Sequence, residues 1–470
     1  MSAHAHTEGE LAIVLHTHMP YVEGYGTWPF GEEWLWEVMA TSYLPLLDLL
    51  EAGAPVTLSL TPVLCDQLAA PGIGERFTRF ITEVRRATHA EDVRGLLAGQ
   101  EAVLAAEVER AALDYERALE RHEEIGGRLL ERLAAHATWT SAATHAVLPL
   151  CATDAGARLQ IEAGIASHRA RVEAWRGGFW LPECAYAPWL GPLLVDSGVR
   201  ASCVDLTDRF GLGAPEHLQP LRTPDGLVLV PLDRVTIELP WSDGGYPAHG
   251  SYRDYHRHTL HHCQPWANDG AAYDHDRALA VARDHAADFV SRTHARVLQG
   301  GLAVCAFDTE LLGHWWYEGL AWLEAVVEEA ERQGLTLSRL DDALERHEPI
   351  DTEDLGVSSW GSPRDLSTWD GTAVAELAFG AREAELRVLD AGRDANPVAI
   401  RELLALQASD WAFMASRGLA ADYPHERAAA HTGALSAALA SNGSDNGKGN
   451  GAAGPRNLGL YARAETLLAP

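Results

Sequence analysis

The strongest constraint on the fold is a recurring pattern of short apolar runs separated by helical stretches. The runs occupy Leu11–Leu15, Val56–Leu60, Gly178–Leu181, Ala201–Val204, Leu227–Val230 and Ala303–Phe307. Short apolar runs that alternate with helices are typical of strands buried on both faces of a parallel sheet. The pattern therefore predicts an α/β fold built on a parallel sheet, either open or closed into a barrel. In such folds function is concentrated where the strands end.

Two long segments depart from this alternation. Residues 75–137 are charged and alanine-rich, with apolar residues at helical spacing, which predicts an all-helical insertion. Helical patterns dominate again after about residue 355, through 372–389 and 397–414. We therefore predict a barrel domain, an insertion, and a C-terminal helical domain with a flexible, glycine-rich segment. The predicted barrel domain comprises residues 9–74 and 138–350, and the predicted insertion comprises residues 75–137. The predicted C-terminal domain comprises residues 351–470, with the flexible segment at 441–457.

The formal charge narrows the class of binding partner. The chain carries 37 basic and 67 acidic side chains, which gives a net charge of −30 at pH 7. A surface this acidic repels nucleic-acid phosphates and anionic lipids, so we expect a neutral partner and neither nucleic acid nor a membrane. Lys448, in a Gly/Asn-rich tract, is the only lysine, which excludes Schiff-base enzymes and lysine-dependent phosphate loops.

Cysteine usage and the first residues indicate the compartment. The six cysteines are far apart and form neither a C-x-x-C pair nor a zinc-finger pattern, which is typical of reduced thiols. Residues Met1–Glu10 lack a basic run followed by an apolar stretch, so we predict no signal peptide. No window approaches the roughly 18 uninterrupted apolar residues of a membrane-spanning helix. The sequence thus predicts a cytoplasmic protein, and it carries no signal for an oligomeric state.

Two carboxylates follow predicted strands. Glu183 stands among aromatic residues in the segment 179–186 (FWLPECAY), and Asp308 follows the apolar run of 303–307. Glu183 taken alone could equally cap a helix. A pair of carboxylates at two strand ends is, however, what chemistry at a glycosidic bond requires, because one attacks or activates water and the other moves a proton. The pair therefore favours a catalytic site that acts on sugars.

His16 and His18 support a competing hypothesis. An H-x-H pair at the end of a first strand is also how metal-dependent amidohydrolases and deacetylases begin a metal site, with Asp308 and His145 as further ligands. The sequence has no H-E-x-x-H motif, and its tryptophan excess (15 Trp, 12 Tyr, 9 Phe) fits a neutral sugar polymer better, since indole faces stack on sugar rings. Any single tryptophan is nevertheless more often a packing residue.

Several motifs together resemble glycoside hydrolase family 57, and within it the 1,4-α-glucan branching enzymes. The similarity extends through most of the chain, and its most specific parts are 180–186 and 306–316. The matching segments are His16–Val22, Trp28–Glu33, Ala143–Pro149, Trp180–Tyr186, Ala306–Trp316, Ser358–Gly361 and Gln407–Trp411. The resemblance implies an incomplete (β/α)7 TIM-like barrel with a helical insertion and a C-terminal helical domain. It also implies that no metal or organic cofactor is needed.

The resemblance further implies roles for individual residues. Glu183 matches the family's nucleophile and Asp308 its general acid/base, so that a retaining double displacement would cleave an α-1,4 link and pass the chain to an acceptor 6-hydroxyl. The two carboxyl groups of such a pair are expected about 5 to 5.5 Å apart. The residues implied to line the α-1,4-glucan site are His16, His18, Trp28, His145, Trp360, Trp369, Asp410 and Trp411, while Trp180 and Trp315 flank the carboxylates.

One segment departs from the family's pattern. Branching enzymes of the family carry a loop tyrosine that helps to exclude water from the intermediate. The segment 238–247 keeps Tyr246 but little else of the usual sequence, so Tyr246 is the candidate for this role. An altered loop that admits water would make the protein an α-amylase-type hydrolase. A 4-α-glucanotransferase of the same family and a glucan-binding protein without catalysis also remain open, and the sequence fixes neither the physiological glucan nor the branch length.

Overall fold

The computed structural model describes residues 9–353, 355–392 and 395–441. The predicted flexible segment 441–457 lies outside these ranges except for Ser441, and the signal-peptide prediction concerns residues of which only Gly9 and Glu10 are described. Within the described ranges, no helix combines the length and the apolar character needed to cross a membrane.

Ten strands of the described chain form one curled sheet. They are β1 (Glu10–Thr17), β2 (Thr57–Leu60), β3 (Ala137–Ser141), β4 (Gly178–Trp180), β5 (Ala201–Val204), β6 (Leu221–Arg222), β7 (Val228–Pro231), β8 (Leu302–Asp308), β9 (Thr336–Leu337) and β10 (Ile350–Asp351). Their order is β10-β6-β7-β5-β4-β3-β2-β1-β8, with β9 paired to β1, and of these pairs only β6–β7 is antiparallel. The nine strands of that order curl through 246°. This arrangement confirms the predicted parallel α/β sheet and its incomplete, TIM-like barrel form.

Helices connect the strands of the sheet, and further helices come after the last strand in the chain. They are α1 (Glu32–Val38), α2 (Leu44–Glu51), α3 (Pro62–Leu68), α4 (Ile73–Arg79), α5 (Arg86–Ala98), α6 (Ala102–Glu124), α7 (Leu129–Ala134), α8 (Asp154–Arg169), α9 (Leu190–Asp196), α10 (Thr207–Phe210), α11 (Arg234–Ile237), α12 (His275–Val297), α13 (Gly319–Gln333), α14 (Leu340–Ala343), α15 (Ser367–Asp370), α16 (Ala375–Ala391), α17 (Pro397–Leu406), α18 (Ser409–Ser416) and α19 (Tyr423–Ala440). Helices α4–α7 precede β3, and α15–α19 form the C-terminal helical region. The exact domain limits stay a prediction.

Each of the six apolar runs forms a strand. The pairing of β1 with β8 places His16 beside Asp308 at one end of the barrel. Every residue of β1 is buried, and its parallel register with β8 runs from Glu10–Leu302 to His16–Asp308. Strand β3 (ATWTS) was not predicted, because threonines and a serine interrupt its apolar pattern. The three two-residue strands β6, β9 and β10 are too short to leave a periodic signal.

The helical pattern predicted over 397–414 is interrupted in the structure. Ala408 leaves the helical conformation and pairs with Ala146 as an antiparallel bridge. The Ser409 N–H then donates to the His145 carbonyl at 3.1 Å. The prediction of helix is therefore wrong at this point, because the bridge to the loop after β3 takes Ala408 out of the helical hydrogen-bond pattern between α17 and α18. The break brings the first residues of α18 to the end of the barrel.

A buried carboxylate fastens the C-terminal helices to the barrel. Glu385 on α16 accepts the backbone N–H of Ala152 at 2.9 Å, the hydroxyl of Thr153 at 2.6 Å and the side-chain amide of Gln407 at 2.9 Å. Ala152 and Thr153 immediately precede α8, and helix N-termini favour negative charge. Burial raises the pKa of Glu385, and these hydrogen bonds oppose the rise. Glu385 thus joins α16, α8 and the segment between α17 and α18.

Candidate active site

Glu183 lies in a strained turn just past β4. The turn Pro182–Cys184 gives Glu183 a φ of 61°, a left-handed conformation that costs a non-glycine residue about 1–3 kcal/mol. Backbone hydrogen bonds hold the turn: the Trp360 N–H donates to the Glu183 carbonyl at 3.0 Å, and the Tyr186 N–H donates to the Ser358 carbonyl at 2.9 Å. The segment around Ser358–Trp360 therefore fixes the backbone from which the Glu183 carboxylate extends.

Each oxygen of the Glu183 carboxylate receives one hydrogen bond. The Ser409 hydroxyl donates to Oε1 at 3.0 Å, and the Trp360 indole N–H donates to Oε2 at 3.1 Å. Burial raises the pKa of Glu183, while these two bonds act against the rise. Two donors on an otherwise desolvated carboxylate orient it and favour its ionised form.

Asp308, at the end of β8, has a different environment. It is half-buried, and no described residue donates a hydrogen bond to its carboxyl group. Burial, followed by the negative charges of Glu310 and Glu183, raises the pKa of Asp308 well above its usual range. The two strand-end carboxyl groups thus differ in environment, because two hydrogen bonds oppose the rise in the pKa of Glu183 and no hydrogen bond opposes that of Asp308. Unequal environments of this kind can separate a base from an acid.

A third carboxyl group, Glu310, completes this end of the barrel. It accepts the hydroxyl of Tyr43 and, at 3.2 Å, the backbone N–H of His18. Burial raises the pKa of Glu310 to about 7, although those hydrogen bonds and the charge of His18 oppose the rise. Glu310 was not among the site residues predicted from the sequence. The signal that could have found it is its place two residues beyond the strand-end carboxylate Asp308.

Three histidines stack beside the carboxylates. The Nε2 atoms of His16 and His145 lie 2.9 Å apart, the rings of His18 and His145 stack at 4.0 Å, and His16 stacks on Trp180 at 4.7 Å. Burial lowers the pKa of His16 and of His145 well below the usual value. Burial also acts against the charge of His18, but Asp410, 3.0 Å from its Nε2 atom, raises its pKa overall. The cluster therefore contains two neutral imidazoles and one that favours the charged form.

Ser409 is a site residue that sequence reasoning missed. Besides its bond to Glu183, its hydroxyl lies 2.9 Å from Nδ1 of His145, and the residue is buried. Serine carries no distinctive signal in a sequence. The only indication was its position directly before Asp410, and the interruption of the helix at Ala408 that brings it to the site could not be anticipated.

The tryptophans implied to hold glucan fall into two groups. Trp360 contacts Glu183, while Trp28 and Trp315 are 54% and 42% exposed. Trp369 and Trp411 are instead only 3% and 1% exposed. In this structure protein atoms therefore cover the indole faces of these last two residues, which pack behind the site.

Tyr246 lies apart from the two carboxylates. Its hydroxyl donates to Asp288 at 2.6 Å, and its ring stacks on His285 at 4.4 Å, both residues of α12. None of the contacts that the structure gives Tyr246 reaches Glu183 or Asp308. In this conformation Tyr246 packs against α12.

The histidine cluster does not have the arrangement of a metal centre. Among the described residues, no three His, Cys, Asp or Glu side chains are placed so that they could hold a metal ion together. The Nε2 atoms of His16 and His145 face each other, and that of His18 faces Asp410. The ring nitrogens are thus engaged in hydrogen bonds within the protein, which favours a polar wall for a sugar over the deacetylase hypothesis.

Comparison with known proteins found similar sequences and structures. The profile of glycosyl hydrolase family 57 matches residues 12–356, and the profile described as 1,4-alpha-glucan branching enzyme, C-terminal, matches residues 376–448. A Mycobacterium tuberculosis protein named as a probable 1,4-alpha-glucan branching enzyme is 33% identical, with 90% of each chain covered. A 1,4-alpha-glucan branching enzyme of Thermococcus kodakarensis is 31% identical over 90% of this chain and 72% of its own. The crystal structure of the family 57 branching enzyme from Pyrococcus horikoshii superposes with a TM-score of 0.83 at 30% identity, covering 90% of this chain and 88% of the other. This chain belongs to glycosyl hydrolase family 57.

Proposed function

We propose that this protein is a 1,4-α-glucan branching enzyme, which cleaves α-1,4 links with retention and transfers the released chain to a 6-hydroxyl to form an α-1,6 branch. The observation that carries the proposal is the unequal environment of the two strand-end carboxyl groups. Glu183 has two hydrogen-bond donors, whereas Asp308 has none among the described residues and a strongly raised pKa. The names of the relatives, at 31% and 33% identity, supply the reaction and the polymer.

The first displacement uses the ionised and the protonated carboxyl group together. Glu183 attacks C1 of the glucosyl unit, and Asp308 donates its proton to the departing glycosidic oxygen. Glu183 becomes an ester and loses its charge. Since that charge raises the pKa of Asp308, its loss makes Asp308 a stronger acid during the step in which it gives up its proton.

The second displacement reverses these roles. Asp308, now ionised, takes the proton from the 6-hydroxyl of an acceptor chain, and the resulting oxygen attacks C1 and releases Glu183. The three stacked histidines form a polar wall next to both carboxyl groups, and His18 among them is hydrogen-bonded to Asp410. We assign His16, His18, His145 and Trp360 to the glucosyl site, and the exposed Trp28 and Trp315 to more distant glucosyl units of donor or acceptor. Trp180 was expected to flank the carboxylates, but it is fully buried and packs on His16 behind the site.

Linkage analysis of the products tests the proposal. Purified protein is incubated with linear amylose, and the α-1,6 links are counted by NMR and by chain lengths after enzymatic debranching. We expect new branch points from the native protein. Glu183→Gln should form none while keeping its fold, because the substitution removes the attacking charge and conserves shape. Glu216→Gln, at an exposed position, is the matched control and should behave as the native protein. Folded protein that leaves amylose unbranched would refute the proposal.

Hydrolysis is the second candidate, favoured by one observation. Tyr246, the candidate for shielding the intermediate, has its hydroxyl on Asp288 of α12. If no other group excludes water, the glucosyl-enzyme would be hydrolysed. The same incubation separates the two outcomes, because hydrolysis produces reducing ends without branch points.

A further inference from the structure

Four consecutive hydrogen bonds connect the core of the barrel to the proposed nucleophile. Ser59 Oγ on β2 lies 3.3 Å from His16 Nδ1, and His16 Nε2 lies 2.9 Å from His145 Nε2. His145 Nδ1 lies 2.9 Å from Ser409 Oγ, which lies 3.0 Å from Glu183 Oε1. We refer to Ser59, His16, His145 and Ser409 as the relay. All four relay residues are buried.

The relay has only one arrangement of protons that satisfies every contact. Both imidazoles are neutral, because burial and the neighbouring His18 keep the pKa of each low, so each ring has one N–H and one acceptor nitrogen. An ionised Glu183 can only accept, and Ser409 therefore donates its single proton to it. His145 must then donate from Nδ1 to Ser409 and accept at Nε2.

The proton positions farther from the nucleophile are fixed in the same way. Since Nε2 of His145 is an acceptor, His16 must donate from Nε2. Its Nδ1 is then an acceptor and requires the hydroxyl proton of Ser59. Every donor in the relay therefore points toward Glu183. If Ser59 lost its hydroxyl, His16 could carry its proton on Nδ1, His145 could turn to the opposite tautomer, and the Ser409 proton would be drawn from Glu183 to His145.

We propose that Ser59 and Ser409 are positioning residues for the nucleophile, acting through the fixed tautomers of His16 and His145. Ser59 has no contact with either catalytic carboxyl group, so its influence passes through the relay. This role rests on the proposed function in one respect, namely that Glu183 is the residue whose ionised form starts turnover.

The charged groups that face Glu183 define what else affects its ionisation. They are Asp410 on α18, His18 after β1 and Asp308 on β8. None of them is altered when Ser59 or Ser409 is replaced. A change in the acidic limb of the pH–rate profile of these variants therefore reports the relay.

The direct test is the tautomeric state of the native protein. Nitrogen-15 NMR of ring-labelled histidines, assigned with single His→Gln variants, should place the proton of His16 on Nε2 and that of His145 on Nδ1. The opposite tautomer at either residue would overturn the proposal. The tautomers are read in the native protein and the measurement requires no enzymatic activity. It is therefore independent of whether the protein branches glucan.

The kinetic test follows total amylose turnover by loss of iodine staining, which counts branching and hydrolysis alike. Ser409→Ala should lower kcat/KM about tenfold to a hundredfold and move the acidic limb up by about one pH unit, because Glu183 loses a donor to its charged form. Ser59→Ala should move the limb in the same direction by about half a unit with KM unchanged. Ser59→Thr, which keeps a hydroxyl, should restore the native profile.

A matched control is Ser202→Ala. Ser202 is a buried strand serine on β5 whose hydroxyl bonds to the Phe179 carbonyl and not to the relay, and its replacement should leave the pH profile unchanged. A native pH profile in folded Ser59→Ala would overturn the role of Ser59. Turnover without α-1,6 links would refute branching and leave the relay standing.

Discussion

Replacing Glu310 by Gln isolates the effect of one charge on the proposed general acid. Glu310 accepts the Tyr43 hydroxyl and the His18 N–H through the same oxygen, Oε1. The glutamine carbonyl can accept both, so the local structure should persist while the charge disappears. The groups that face Asp308 are Glu310, Glu183 and His18, and after burial Glu310 has the largest influence on its pKa.

The size of the effect follows from Coulomb's law. Two carboxylates about 6 Å apart, at an effective dielectric constant of about 20, interact by roughly 2.8 kcal/mol, or about two pH units. Because the pKa of Glu310 is about 7, it carries on average about half a charge near neutral pH. We therefore expect the pKa of Asp308 to fall by about one unit in Glu310→Gln. Asp308 must be protonated to act, so the alkaline limb of kcat/KM moves down by the same amount.

The assay is the pH dependence of kcat/KM for amylose, measured with native protein, Glu310→Gln and Tyr43→Phe. Tyr43→Phe removes a hydrogen bond that holds down the pKa of Glu310, so Glu310 should lose part of its charge near neutral pH and the alkaline limb should move down by less than in Glu310→Gln. An unchanged alkaline limb in folded Glu310→Gln would show that Glu310 does not control the proton of Asp308, and a larger downward shift in Tyr43→Phe than in Glu310→Gln would point to a structural effect.

Three further substitutions test other parts of the site. Trp360→Phe keeps an aromatic ring but removes the N–H donor to Glu183, and kcat/KM should fall about tenfold with a raised acidic limb. Glu385→Ala strands three buried donors and should lower the free energy of unfolding by about 4 kcal/mol in urea titrations, against about 1 kcal/mol for Glu385→Gln. Equal losses would contradict the role of Glu385 in joining α16 to α8 and to the segment before α18. Tyr246→Phe loses only the bond to Asp288, so product analysis should find an unchanged ratio of branching to hydrolysis, and a rise in hydrolysis would restore Tyr246 to the shielding role.

The sequence predicted those parts of the fold that depend on local patterns. The strands that carry His16 and Asp308 are short apolar runs, which are typical of buried strands. Strand β3 was not found because its threonines obscure the pattern. The strand-end carboxylates were predicted from their positions and the histidines from the family resemblance, and the structure brings them together at one end of the barrel.

The remaining site residues depend on tertiary structure. Ser409 reaches Glu183 only because Ala408 leaves the helix to pair with Ala146, and no local pattern encodes that contact between distant segments. Whether a tryptophan is exposed or buried is likewise set by what packs on it, which is why Trp28 and Trp411 could not be distinguished beforehand.

The bridge between Ala408 and Ala146 also bears on when an active protein can arise during synthesis. Glu183 and Asp308 leave the ribosome before Ser409 and Asp410, and domains generally fold in the order in which they are made. A nascent barrel would therefore display both carboxylates but lack the hydroxyl that orients one of them and the partner of His18. We expect such a chain to have no activity on glucan while it is still being translated. Activity should appear in a single late step, when the last helices dock.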